Sequence, residues 1–290
     1  MTLKYGVVAA LFLMQTLASP GIKPAGDVPN LSKRYFMIKP DGSGTKGKPW
    51  PEAKVQWCLD GVGSEGDEYE KLLQLVKDSW KLWQDAVAPY SSLQFEPSKS
   101  HGKPVCDDKD KDGEVLHIEF GGEQGSWADL GYAGKGQEHV LHLSPTATAA
   151  LCAHELGHVF GLEHEHQKPA AWQEDSDESY SDTFPFRFYC ANLADYDALK
   201  DRSDIADLCK DYNAATAAGF SAANWLPFRP SPRNYEIDAF VDLDSIMMYS
   251  STSGSKNGKP VYLKQDESEI SENEKPSMGD IRAIARLYPK

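Results

Sequence analysis

The sequence has 290 residues, of which 44 are acidic and 30 are basic, and its formal net charge is −14 with neutral histidines. So acidic a surface repels a phosphate backbone, and we therefore expect no nucleic-acid partner.

The first 18 residues have the pattern of a secretory signal peptide. Lys4 precedes an apolar run at 6–17, and Thr16-Leu17-Ala18 provides a small-residue cleavage site. No other stretch approaches the roughly 20 apolar residues that cross a bilayer. We predict that 1–18 is removed and that the mature protein is secreted, extracellular and not attached to a membrane.

The first half of the remaining chain predicts a sheet packed against helices. Apolar residues recur at helical spacing from 68 to 87, which predicts a helix with one buried face. Short strands are predicted at 53–59, 93–96, 115–120 and 138–143, and a second long helix at 145–161.

One segment in this half has the spacing of a calcium-binding loop. The matching residues are Asp108, Asp110, Asp112, Gly113 and Glu119. Such a site needs a helix on each side, whereas 97–106 is rich in turn residues and 115–120 alternates like a strand. We interpret the segment as a charged hairpin loop, with calcium binding as the alternative.

The stretch from His154 to His164 has the spacing of a metal site. Residues four apart on a helix share one face, so His154 and His158 can direct two imidazoles at one ion, with Glu155 beside them. Gly161 can adopt the left-handed backbone that ends the helix, so that His164 reaches the same ion. Three histidines leave the fourth position of zinc to water, which indicates a hydrolase.

The second half of the chain predicts an irregular structure. Helix is predicted at 204–218 and at 278–288, where Ile281, Ile284 and Leu287 have helical spacing. The polar, acidic run at 173–182 predicts a solvated loop that could form a lid.

The pattern HExxHxxGxxH resembles that of the metzincins, in which a methionine turn lies beneath the metal. Ser245-Ile246-Met247-Met248-Tyr249 resembles this turn in its astacin form, with Met247 as the floor. Glu165, directly after the third histidine, and Tyr249 are two further astacin-like features.

The resemblance has two departures. After Glu165 the chain reads His166-Gln167-Lys168-Pro169, where astacins usually continue with an arginine and acidic residues, and the stretch from His164 to Met247 is longer than in that family. The chain therefore resembles a relative of the astacins more than a close member of the astacin family.

The resemblance implies an α+β fold, a metzincin-type two-lobed catalytic domain over 35–290. A twisted mixed sheet and the zinc helix above the cleft form an upper lobe at about 35–161, and an irregular C-terminal lobe follows at about 162–290. The segment 125–132 is similar to the edge strand that precedes the zinc helix, where an extended peptide could add itself as a further strand.

The implied function is that of a secreted zinc endopeptidase acting on proteins or peptides. One catalytic zinc would be held by His154, His158 and His164, with Glu155 as the general base and Tyr249 as the donor to the oxyanion. The alternatives are a metzincin of another family, in which Tyr249 has only a structural role, and a catalytically weak secreted zinc-binding protein. His166 is left outside the metal shell, because three ligands are already present.

A further implication concerns latency. Lys33-Arg34 is a dibasic pair whose cleavage would leave Tyr35 as the new N-terminus, so 19–34 is a possible propeptide of a zymogen. Gly26-Asp27 resembles the end of the motif by which astacin propeptides place a carboxylate on the zinc. In that family the freed N-terminus approaches the glutamate that corresponds to Glu165.

Five cysteines in an exported protein predict two disulfide bonds and one free thiol. Fifteen arrangements are possible, among which a Cys190–Cys209 bond would close a short local loop. Cys152 is two residues before His154, and residues two apart on a helix do not face the same way, so it is not predicted to be a ligand.

Overall fold

The computed structural model describes residues 35–98, 103–107, 110, 114–122, 125–169, 186–228, 231–238 and 240–290. The predicted signal peptide and propeptide, with Asp27 and Lys33-Arg34, lie outside these residues, as does the predicted lid. Asp108, Asp112 and Gly113 of the predicted calcium loop also lie outside them, whereas Asp110 and Glu119 are described. Within these ranges, no helix is both long and apolar enough to cross a membrane.

A mixed five-stranded sheet forms one wall of the fold. Its strands are β2 (Lys54–Asp60), β3 (Gln94–Pro97), β4 (Val115–Phe120), β5 (Trp127–Ala128) and β6 (His139–Leu143). They lie in the order β3-β2-β4-β6-β5, and all neighbours are parallel except β5 and β6. The predicted strands are confirmed, and the antiparallel β5 lies at one edge, as the resemblance implied.

Two long helices pack together against this sheet. In α1 (Asp67–Val87) the apolar stripe is buried, as its spacing predicted. The helix that carries the first two histidines is α2 (Ala149–Val159), and the Trp83 indole of α1 donates a hydrogen bond to its Ala153 carbonyl at 2.7 Å. The first pair of metal-site histidines is therefore mounted on a buried, rigid helix.

The prediction that α2 begins at residue 145 was wrong by four residues. The Thr148 hydroxyl accepts a hydrogen bond from the Leu151 backbone N–H at 3.1 Å, so Thr148 is the N-cap and the helix begins after it. At the other end Gly161 has a φ of 105°, and an added Cβ would lie 2.6 Å from Ile38 Cδ1. The turn that the sequence predicted therefore requires glycine.

Short elements make up most of the second half of the chain. Strand β1 (Phe36–Ile38) pairs with β8 (Tyr235–Ile237), and β7 (Phe186–Phe188) pairs with β9 (Tyr262–Lys264), both antiparallel. The helices are α3 (Tyr196–Leu199), α4 (Ile205–Leu208), α5 (Tyr212–Ala217) and α6 (Met278–Leu287). The predicted helix at 204–218 is divided in two, because Asp211 accepts a hydrogen bond from the Ala214 N–H and starts a new helix.

The apolar residues form two buried clusters. The first contains the core faces of the sheet, α1 and α2, and also Met247 and the apolar face of α6. The second lies within the C-terminal half and includes Met248, Trp225 and Tyr262. The last helix thus returns to pack with the first half of the chain.

The cysteines are arranged as two disulfide bonds and one thiol. Cys58 is bonded to Cys106, and Cys190 to Cys209, which is one of the arrangements that the sequence left open. Cys152 is buried and free, as an odd count required. The ring of His117 also lies near Cys58 and Cys106, but both sulfurs are used in the disulfide and cannot act as thiolate ligands.

Candidate metal centre

Three imidazoles converge on one point at the end of α2. The Nε2 atom of His164 lies 3.1 Å from that of His154 and 3.0 Å from that of His158. Two nitrogens bound to one zinc at tetrahedral angles are separated by roughly 3.4 Å, so this spacing is close to that of a ligand set. The structure thus brings together all three histidines that the sequence singled out.

The opposite ring nitrogens show that these imidazoles are oriented to bind a cation. His154 Nδ1 lies 2.7 Å from the Ile246 carbonyl oxygen and His158 Nδ1 lies 2.8 Å from that of Leu162, while His164 Nδ1 lies 3.0 Å from Gln167 Oε1. A carbonyl oxygen only accepts, so each Nδ1 carries the proton and each Nε2 presents a lone pair. The donor set therefore fits a metal ion.

The Gln167 amide is itself held in place. Its Nε2 donates to the carbonyls of Ala223 at 2.9 Å and Leu226 at 3.1 Å, which leaves Oε1 directed at His164.

Burial lowers the pKa values of His154 and His158 to about 4 and about 3. Neutral rings of this kind are the form that binds metal.

Glu155 follows His154 directly on α2 and is 5% exposed. Burial raises the pKa of its carboxyl to about 8. A cation held by the neighbouring histidines would favour the carboxylate form, because opposite charges at short distance stabilise each other. The site thus combines a cation-binding cluster with an acid–base group.

The predicted methionine turn lies directly under α2. Met247 is 1% exposed, and a Cβ added at Gly157 would lie 2.3 Å from its sulfur. Only glycine at position 157 allows the helix and the turn to approach this closely. The residue before Met247 is Ile246, and its carbonyl accepts the hydrogen bond from His154 Nδ1 that orients the ring.

A buried ion pair connects the third histidine to the chain before the turn. Lys168 Nζ lies 2.7 Å from the Glu165 carboxylate, and Lys168 also donates to the Phe240 carbonyl at 2.9 Å. The Glu165 carboxylate also accepts from the Asp242 N–H at 2.9 Å, and the Glu165 N–H donates to the Met247 carbonyl at 3.1 Å. Glu165 therefore has an internal cationic partner.

Tyr249 and His166 complete the surroundings of the third histidine. The Tyr249 ring centroid lies 4.5 Å from that of His164 and 5.6 Å from that of His154. The Nε2 of His166 is directed at the Asn224 carbonyl, 2.8 Å away, which supports leaving His166 out of the metal shell. Burial raises the pKa of Tyr249, so its phenol stays protonated at neutral pH.

The roles of several residues that shape the site were not predicted from the sequence. Gln167 contacts His164 and Lys168 contacts Glu165, each three residues away, but carbonyls of distant segments hold both side chains in place. Asp280 contacts the methionine turn, which is also distant in sequence. One signal was available for the last of them: Ser277 and Asp280 form a capping box at the start of α6, and the S-x-x-D spacing is visible in the sequence.

Two curated proteins are similar to this chain. No family model matches the chain. It is 22% identical over 245 residues to zinc metalloproteinase nas-14 of Caenorhabditis elegans, covering 83% of this chain and 37% of that protein. It is also 22% identical over 219 residues to blastula protease 10 of Paracentrotus lividus, covering 75% and 28%. The chain spans well under half the length of the curated relatives it matches.

Two solved structures are also similar to this chain, at lower sequence identity than the curated relatives. High choriolytic enzyme 1, a hatching enzyme zinc-protease from Oryzias latipes, aligns with a TM-score of 0.48 at 17% identity, over 84% of this chain and 94% of that one. Myroilysin aligns with a TM-score of 0.46 at 18% identity, over 85% and 98%.

The three-histidine site and the methionine turn in this mixed α/β fold are features of the metzincins, which the chain resembles. The two curated relatives support this resemblance in its astacin-like form.

Proposed function

We propose that the chain is a secreted zinc-dependent endopeptidase that hydrolyses peptide bonds with Glu155 as general base. The observation that carries the proposal is the orientation of the three histidines: each Nδ1 faces an oxygen acceptor, and the three Nε2 atoms meet at one point. The buried Glu155 follows His154 directly on α2, and burial together with the Glu155 charge raises the pKa of the Tyr249 phenol. Two curated relatives whose names include zinc metalloproteinase and protease support the same reaction.

His154, His158 and His164 would hold one zinc ion. When bound, zinc supplies a Lewis acid that lowers the pKa of water and polarises a carbonyl group. Glu155 would take the proton of the attacking water and pass it to the leaving amine, so that no covalent intermediate forms with the protein. Tyr249, whose phenol is protonated, would donate a hydrogen bond to the oxyanion as it develops.

The substrate would bind as an extended strand along β5. Among the described strands, β5 pairs only with β6, and its other side is the edge of the sheet. A peptide laid along this edge gains backbone hydrogen bonds irrespective of its sequence. Protein and peptide substrates are therefore the class that this architecture fits.

Secretion and latency belong to the same proposal. The pattern of residues 1–18 and the two disulfide bonds support export through an oxidising compartment. Residues 19–34 would be a propeptide removed after Lys33-Arg34. N-terminal sequencing of the secreted protein decides this point: a start at Tyr35 supports processing, and a start at Ser19 in fully active material contradicts latency.

The catalytic proposal is tested by Glu155→Gln. The change keeps the ligand set and the side-chain size, so we expect zinc near one ion per chain and a loss of most hydrolysis of a dye-labelled unfolded protein. Glu68→Gln, on the exposed face of α1, is the control and should retain both. Full activity in Glu155→Gln would exclude Glu155 as the base, and zinc binding without any hydrolysis by the unaltered protein would favour the zinc-binding alternative.

A further inference from the structure

A chain of hydrogen bonds connects a buried carboxylate on α6 to the imidazole of His154. The Ser245 hydroxyl donates to Asp280 Oδ1 at 2.6 Å, and the Met247 backbone N–H donates to the Ser245 oxygen at 2.9 Å. The carbonyl of that same peptide group, which belongs to Ile246, accepts the His154 Nδ1–H at 2.7 Å.

The direction of each bond is fixed by chemistry. An ionised carboxylate only accepts, so the single hydroxyl proton of Ser245 is directed at Asp280, and a lone pair of the same oxygen faces the Met247 N–H. Ser245 is fully buried and Asp280 is 4% exposed, so water does not screen the sequence of dipoles. Such chains polarise one another, and the effect grows at low local dielectric.

The second carboxylate oxygen of Asp280 holds the same structure from the other side. It accepts the Ile246 N–H at 2.9 Å and the Ser277 N–H at 2.8 Å. Ile246 is therefore fixed at its N–H by Asp280 and, through the relay, at its carbonyl. This arrangement restricts the direction from which that carbonyl can meet His154.

We propose that Asp280 is a positioning residue for the metal centre: through the Ser245 hydroxyl and the 246–247 peptide group, it orients His154 and strengthens its Nε2 as a ligand. The inference rests on the metal-binding part of the proposed function. A carboxylate that accepts directly from a ligating histidine is a common arrangement that raises ligand basicity. Here the same effect reaches the ring through one hydroxyl and one peptide group.

The site contains an internal comparison. The carbonyl that orients His158 belongs to Leu162, and the N–H of the same peptide group, that of Glu163, donates to the Phe36 carbonyl at 2.9 Å. That route ends on a neutral backbone oxygen. The route from His154 ends on a carboxylate, so the negative charge of Asp280 acts on one of these two helix-borne ligands and not on the other.

A role limited to capping α6 would give different results, and two variants separate the roles. Ser245→Ala removes the hydroxyl from the relay while the Asp280 carboxylate keeps its bonds to Ile246 and Ser277. Ser277→Ala removes the N-cap hydroxyl, which accepts from the Gly279 and Asp280 N–H groups and donates to Asp242 Oδ2 at 2.8 Å, and it leaves the relay complete. The second variant is therefore the control for loss of stability at the start of α6.

The measurement is the Zn²⁺ affinity of the full-length apo-protein, by competition with a chromophoric chelator at pH 7.5. We expect Asp280→Asn and Ser245→Ala to lower the affinity about 10- to 100-fold, and Ser277→Ala to change it less than about twofold despite a lower melting temperature. Nitrogen chemical shifts of His154 in the apo-protein should also show a smaller Nδ1–H population in the first two variants.

Either of two outcomes overturns the inference. One is Zn²⁺ affinity within about twofold of the unaltered protein in Ser245→Ala, which stands alone as the test if Asp280→Asn does not fold. The other is an equal loss in Ser277→Ala, which would assign the effect to helix stability. Neither depends on hydrolysis, so an unaltered protein that binds zinc but cleaves nothing would contradict the proposed function and leave this inference standing.

Discussion

The Lys168 ammonium lies 2.7 Å from the Glu165 carboxylate, and the two side chains are 0% and 3% exposed. Glu165 follows His164 directly, and its backbone N–H bonds to the Met247 carbonyl. The pair therefore joins the third histidine, the methionine turn and the Phe240 region through one desolvated contact. In the astacins that the sequence resembles, the mature N-terminus approaches this glutamate, whereas here the chain provides its own cation.

Removing one partner of this ion pair should destabilise the protein strongly. Lys168→Met leaves a buried carboxylate without its counter-ion, and we expect a loss of about 3–5 kcal/mol in the free energy of unfolding, measured in urea. Lys81→Met removes an exposed i,i+4 pair with Asp85 and should cost less than about 1 kcal/mol.

The double variant Glu165→Gln with Lys168→Met tests the cause. Neutralising both partners removes the unpaired charge, so the double variant should be more stable than Lys168→Met alone. A double variant that is less stable by the sum of the two single losses would show that the two side chains do not interact.

The close approach of α2 and the methionine turn gives a second prediction. Gly157→Ala places a methyl carbon on the Met247 sulfur, and we expect a cost of about 1–3 kcal/mol from overpacking. In a Met247→Ala background the cost should fall, which a double-mutant cycle measures. Gly63→Ala, whose added carbon would lie 3.6 Å from its nearest neighbour, should be close to neutral. Equal costs at positions 157 and 63 would contradict the packing described.

Zinc binding should distinguish His164 from His166. His164→Ala removes a ligand and should weaken Zn²⁺ binding on the order of 100-fold or more, because loss of an outer-shell partner alone costs 10- to 100-fold. His166→Ala should leave the affinity within a few-fold, since its Nε2 is directed at the Asn224 carbonyl. Zinc at a concentration that just saturates the unaltered protein should correspondingly raise the melting temperature of that protein and of His166→Ala more than that of His164→Ala. The reverse pattern would place His166 in the ligand set.

Tyr249→Phe should lower kcat about 100-fold or more with little change in KM, because its hydrogen bond strengthens only as the oxyanion forms. Tyr196→Phe, on α3 in the second cluster, is the control for removal of a phenol. A change confined to KM in Tyr249→Phe would favour the metzincin of another family, in which this tyrosine is structural.

The cysteine arrangement predicts one thiol per chain that reacts only after unfolding. Cys152 is fully buried, and burial raises the pKa of its thiol to about 12, so the native protein should resist alkylation. Denaturant without reductant should expose one thiol, and denaturant with reductant should expose five. Three reactive thiols before reduction would mean that one of the two disulfide bonds is not formed.

The sequence was most informative where local spacing determines geometry. His154, Glu155, His158 and Gly161 lie within one helix and its end, so their relative positions follow from helix periodicity and one left-handed turn. The stripe on α1 and the strands of the sheet follow from the same kind of pattern.

What the sequence did not predict depends on contacts between distant segments. The burial of Lys168 is decided by the chain around Phe240, and the partner of Asp280 is the methionine turn 34 residues away in sequence. The division of the predicted helix at 204–218 had a local cause, which is the N-cap at Asp211. The apolar pattern continues through residue 211 and predicted one helix, whereas the Asp211 side chain starts a second one.

Met247 and Met248 are neighbours in sequence, yet the first belongs to the cluster shared by the sheet and α2, and the second to the cluster of the C-terminal half. The backbone between them is therefore fixed on both sides. Moving the Met247 side chain would open a cavity in the first cluster, and moving that of Met248 would open one in the second. Such a joint resists hinge motion at the floor of the site. A substrate site that cannot widen at the methionine turn would admit an extended strand more easily than a folded domain. We therefore expect the proposed peptidase to cleave unfolded or loosely structured proteins faster than their native forms.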